Sequence, residues 1–92
     1  MIVSHESRNF AVLTDGKKTR VLRYDADYLG KYSALLIYPN WPMERVLKEL
    51  REDLAQNIRE AFPNEEEAFI EGALNAIMPH AAANIHDPRT NQ

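Results

Sequence analysis

Glu65, Glu66, Glu67 and Glu71 in the stretch PNEEEAFIEG are the densest set of chemically active side chains in the chain. Carboxylates so spaced suit three tasks: holding a cation, meeting a basic partner, or opening a helix. Asn64 three residues before Glu67 is a capping-box pattern, and Glu65 and Glu66 fall in a first turn, where negative charge favours the positive end of the helix dipole. Helix initiation accounts for Glu65, Glu66 and Glu67 but not for the surrounding charge. Between Arg59 and Arg89 lie six acids and no Lys or Arg. Such a face is expected to meet a partner protein with a basic surface.

Positive charge gathers at Lys17, Lys18, Arg20 and Arg23, with Arg8 and Tyr24 close by. A basic two-stranded ribbon can enter a nucleic-acid groove, so nucleic-acid binding is the alternative reading. Cations on an edge strand also guard against edge-to-edge aggregation, and the acidic overall balance, net charge −3, favours that simpler role. Tyr38 and Trp41 form a third candidate, an aromatic corner of the residue types enriched at protein interfaces. Trp41 is equally suited to closing the core over the turn there.

Other chemistries lack their residues. The chain has no cysteine, which excludes disulfides, thiolate metal sites and thiol nucleophiles. Residues 25–30, DADYLG, have the acids and glycine of a calcium loop at positions 1, 3 and 6, but Leu29 and Leu36 stand where ligands 5 and 12 belong. His80 and His86 are six apart, not the four that align two imidazoles on a helix, so a metal site would need His5-Glu6 and His86-Asp87 to converge. Ser4, Ser7 and Ser33 lie outside any nucleophile elbow, and three scattered glycines make no phosphate loop. A non-catalytic protein without metal or cofactor is expected.

The elements that position these groups follow from pattern. RNFAVLTDGKKTRVLRY reads as a β-hairpin turning at Asp15-Gly16, with Phe10 opposite Val21 and Val12 opposite Thr19. KYSALLIYP, residues 31–39, reads as a third strand ended by Pro39, so the sheet is placed at about 8–39. Met43, Val46, Leu47, Leu50, Leu54, Ile58 and Phe62 recur every three or four residues and predict a helix over 42–61, capped at Asn40 or Trp41. Glu44–Lys48 and Arg45–Glu49 are i,i+4 pairs worth roughly 0.2–0.5 kcal/mol each. A second helix over 64–78, with Phe69, Ile70, Ala73, Leu74, Ile77 and Met78 inward, is expected to end or kink at Pro79, before a short alanine-rich continuation, PHAAAN, and an irregular tail over 84–92.

The expected fold class is therefore α+β, a three-stranded antiparallel meander followed by a helical hairpin (βββαα) on one sheet face, in a single domain of 92 residues. Apolar residues occupy both hairpin faces, which predicts a homodimer covering the second one. No apolar run reaches membrane-spanning length, and nothing at the N-terminus has the form of a secretory signal, so a cytoplasmic location is expected. These features predict a small acidic protein-binding module of the type carried by phages or mobile elements, an inhibitor or regulator of a larger host complex, with a nucleic-acid-binding complex as one candidate target.

Overall fold

The computed structural model describes residues 3–90. β1 (Val3–Glu6), β2 (Phe10–Thr14) and β3 (Thr19–Arg23) form an antiparallel sheet in that order, followed by α1 (Gly30–Ile37), α2 (Met43–Ala61), α3 (Glu67–Ala83) and a 3-10 turn at Pro88–Thr90. The arrangement is α+β, with a three-stranded sheet and three helices.

The hairpin forms, but its turn sits one residue later than the sequence suggests. Asp15 Oδ1 accepts hydrogen bonds from the N–H groups of Lys17 (2.9 Å) and Lys18 (2.7 Å), which centres the turn on Gly16-Lys17. Gly16 supplies the left-handed φ of 93° that this turn needs. Phe10 consequently faces Arg23, and Val12 faces Val21. A displacement of two residues leaves every side chain on its expected face. Ala11, Leu13 and Tyr24 are buried and Leu22 packs against the core, whereas Phe10 and Val21 stay exposed. The Tyr24 hydroxyl lies 2.6 Å from Ser7 O and 2.8 Å from Phe10 O, which fastens the end of the hairpin to the β1–β2 connection.

Residues 31–39 do not form a strand. Residues 31–37 are helical within α1, Tyr38 and Pro39 turn after it, and the third strand is β1, a stretch that carried no expected element. Short apolar runs fit a buried strand or a buried helix equally, and here the period decides. Leu29, Tyr32 and Leu36 are buried while Ala34 and Ile37 are exposed, a three-and-four spacing rather than an alternation. The Leu29 N–H donates to Asp25 O (3.0 Å), so the 25–29 turn leads directly into this helix.

α2 buries Val46, Leu50, Leu54, Ala55 and Ile58, the stripe expected of it, with Pro42 rather than Asn40 or Trp41 at its N-cap. Each fully buried leucine contributes about 1.5–3 kcal/mol relative to an exposed one. α3 buries Phe69, Ile70, Ala73, Leu74, Ile77 and Ala81. It begins at Glu67 with Glu66 as N-cap, not at Asn64, because the Glu65 N–H donates to Phe62 O (3.2 Å) and takes residues 62–65 into a turn. Nor does Pro79 end it. The proline leaves only the carbonyl of exposed Asn75 without its helical donor, which water can replace, while buried Ala81 and Ile85 hold the next turn in the core. Beyond the helix, the Asn84 side-chain amide donates to Arg8 O (2.6 Å) and Tyr24 O (2.8 Å), joining α3 to the hairpin. No helix of the described residues is long and apolar enough to cross a membrane.

Candidate functional site

The helical hairpin supplies the cations that the acidic stretch lacks in sequence. Arg59 donates to both carboxylate oxygens of Glu67 (3.1 and 2.9 Å), and Arg51 donates to Glu71 (2.7 Å). The Arg59 guanidinium holds the Glu67 carboxyl below its ordinary range. Two of the four candidate acids therefore join α3 to α2. Glu65 and Glu66 remain exposed at the start of α3, with no side-chain hydrogen bond or ion pair among the described residues.

The basic strand divides in the same way. Lys18 Nζ donates to Ala61 O (2.7 Å) and lies 6.0 Å from the centre of the Phe62 ring, so it caps the carbonyl end of α2, where positive charge is favoured. Arg23 grips both oxygens of Asp25 (3.0 Å each) and stacks 5.1 Å from the Tyr28 ring. That pairing holds the Asp25 carboxyl below its ordinary range and occupies the leading acid of the calcium-like stretch. Lys17 and Arg20 have no carboxylate partner among the described residues, Arg20 reaching only Thr19 O at 3.5 Å.

The aromatic corner is split. Tyr38 is 85% exposed, whereas Trp41 packs partly buried against the core with the Arg45 guanidinium 3.9 Å from its ring. Arg45 thus stacks on Trp41 instead of pairing with Glu49. The corner adjoins the start of α2, and Glu65–Glu67 follow its end, so about 28 Å of helix separates the two. The acidic stretch and the aromatic pair do not form one patch. The nearer neighbour of the acidic stretch is the hairpin tip, through Lys18.

A cleft of about 460 Å³ between α1 and α2 is lined by Tyr28, Lys31, Tyr32, Asp53, Gln56 and Asn57. The Tyr32 hydroxyl donates to Asp53 Oδ2 (2.5 Å) at its base. Burial, and then the Asp53 carboxylate, push the Tyr32 phenol above its ordinary range, so at neutral pH it is a fixed donor rather than a nucleophile. Sequence reasoning missed this cleft because it took residues 31–39 for a strand. Tyr28 precedes α1, Lys31 and Tyr32 lie in it, and Asp53, Gln56 and Asn57 lie on α2, so the sequence carried no local signal of the pairing.

The histidines do not converge. His80 meets Glu6 (2.8 Å) and stacks 6.2 Å from Tyr24, His5 lies on the outer sheet face against Phe10, and the His86 N–H donates to Ser33 Oγ (3.2 Å). Among the described residues no three His, Asp or Glu side chains gather as metal ligands. In comparisons with known proteins, no family model matches the chain, and no curated protein or solved structure shows significant similarity to it.

Proposed function

We propose that this chain is a non-catalytic protein-binding module of the type carried by phages or mobile elements, an inhibitor or regulator of a larger host complex, with a nucleic-acid-binding complex as one candidate target. The observation that carries this reading is Tyr38. Its backbone N–H donates to Ala34 O (2.9 Å) and that of Trp41 to Leu35 O (2.8 Å), so the main chain is fixed while the Tyr38 ring stands in solvent beside Ile37, itself 64% exposed. Large side chains on a fixed backbone offer contact area at low entropic cost. Glu65 and Glu66, at the far end of α2, give a second contact suited to a basic surface. Two contacts about 28 Å apart match a broad protein surface better than a small molecule.

Affinity capture with the intact chain should return a basic partner. Tyr38→Ala should weaken that complex at least tenfold, and Glu65→Lys with Glu66→Lys should release it. Tight binding of duplex or single-stranded nucleic acid that falls steeply with salt and disappears in Lys17→Glu/Arg20→Glu would replace this reading with the basic-hairpin alternative.

A further inference from the structure

β3 is one of the two edge strands of the sheet, and its bonds to β2 fix which of its backbone groups face outward. The Asp15 N–H donates to Lys18 O (3.2 Å) and the Tyr24 N–H to Asn9 O (3.0 Å), which brackets the β2–β3 ladder. Bonded pairs alternate in an antiparallel ladder, so Arg20 and Leu22 also bond to β2. The N–H and C=O groups of Thr19, Val21 and Arg23 therefore point off the edge, where no strand of the described residues meets them. Beside this edge, on the core side of the sheet, a groove of about 400 Å³ runs against the last turns of α2. Leu22, Ile58, Ala61 and Phe62 give it an apolar floor, and Arg20 and Glu60 stand at its rim. Lys18 closes one end by its bond to Ala61 O, and Tyr28 is shared with the α1–α2 cleft at the other.

We propose that β3 takes up an extended segment of a partner protein as a fourth strand, with one apolar side chain entering the groove and neighbouring carboxylates meeting Lys17 and Arg20. An open edge strand beside a helix offers what strand addition requires: main-chain bonds for affinity and a pocket for alternate side chains. Charge selects the occupant. Arg20 lines the groove on its β3 side and Lys17 precedes the strand, both without a carboxylate partner among the described residues, while Glu60 on the α2 side accepts from Gln56 of the same helix (3.2 Å). This surface is separate from Tyr38 and from Glu65 and Glu66.

The test uses a short synthetic peptide of alternating Glu with Val or Leu, added to the full chain and followed by amide NMR. The expected result is saturable binding in which the Thr19, Val21 and Arg23 amides shift and gain exchange protection, while those of Arg20 and Leu22, already bonded to β2, change least. Val21→Pro removes one edge donor without touching the β2 ladder and should weaken binding about tenfold, and Arg20→Glu should do the same by charge. Glu65→Lys/Glu66→Lys should leave it unchanged, which separates this surface from the acidic one. Equal binding of a peptide interrupted by proline, a larger response of these amides to an oligonucleotide, or a concentration-dependent dimer protecting them without peptide would each overturn the proposal.

Discussion

The start of α3 and the edge of β3 carry opposite charges and invite the same reading, yet the chain treats them differently. In each, two of four charged side chains are engaged internally: Glu67 and Glu71 by arginines of α2, Lys18 and Arg23 by Ala61 O and Asp25. What remains differs in kind. Glu65 and Glu66 stand at the start of a helix, with no open strand edge beside them, so they offer only charge. Lys17 precedes β3 and Arg20 lies within it, and the unused main-chain donors and acceptors of that strand add direction to charge. A run of like charges in sequence is thus a poor guide to a site until internal partners are subtracted and the backbone beneath is examined.

The most severe way to break this comparison is to remove its common support. Leu50→Ala empties a fully buried position on α2, against which both surfaces are built, and should cost about 2–5 kcal/mol in chemical denaturation. Tyr24→Phe acts on one side only. Loss of its bonds to Ser7 O and Phe10 O should cost about 1–3 kcal/mol and speed amide exchange in β2 and β3 before α2 and α3 respond. Smaller still, Glu67→Lys/Glu71→Lys places like charges across the helical hairpin and should lower Tm, whereas Glu65→Lys/Glu66→Lys should not. An equal Tm loss in both would show that the distinction between engaged and free acids is wrong.

The mildest perturbation is pH. Asp15, held low by the Lys18 and Lys17 amides, and Asp25 and Glu67, held low by arginines, have folded values below their unfolded ones. Their contribution is fully present above the ordinary carboxylate range, near pH ~4, and is lost as pH falls through the folded values. Tyr24 and Tyr32 have the opposite sign: burial raises both, so their contribution is present below pH ~10 and lost above it. Ultraviolet titration should show late phenolate formation at these two, and Tyr32 should titrate earlier in Asp53→Asn.

The hairpin, its faces and the apolar stripes of α2 and α3 were legible because each rests on a local period. Turn centre, helix start and helix stop were not, since each was decided by one competing bond or burial: Asp15 to the Lys17 amide, Glu65 to Phe62 O, Ala81 in the core. The α1 segment was misread because LLIY fits either period once isolated. The cleft at Tyr32–Asp53 and the groove under β3 both depend on elements far apart in sequence, Asp53 lying 21 residues from Tyr32, and no local pattern carries such a pairing.

Asn84 reaches back 76 residues to Arg8 O and 60 to Tyr24 O, so the residue that caps α3 secures the β1–β2 connection and the end of the hairpin, both synthesised well before it. On a ribosome, the hairpin leaves the exit tunnel with Ala11, Leu13 and Tyr24 uncovered, and they stay so until α2 and α3 have followed. Completion of the fold therefore waits until synthesis has passed residue 84. Chains truncated before residue 84 should be degraded by proteases that spare the 92-residue chain.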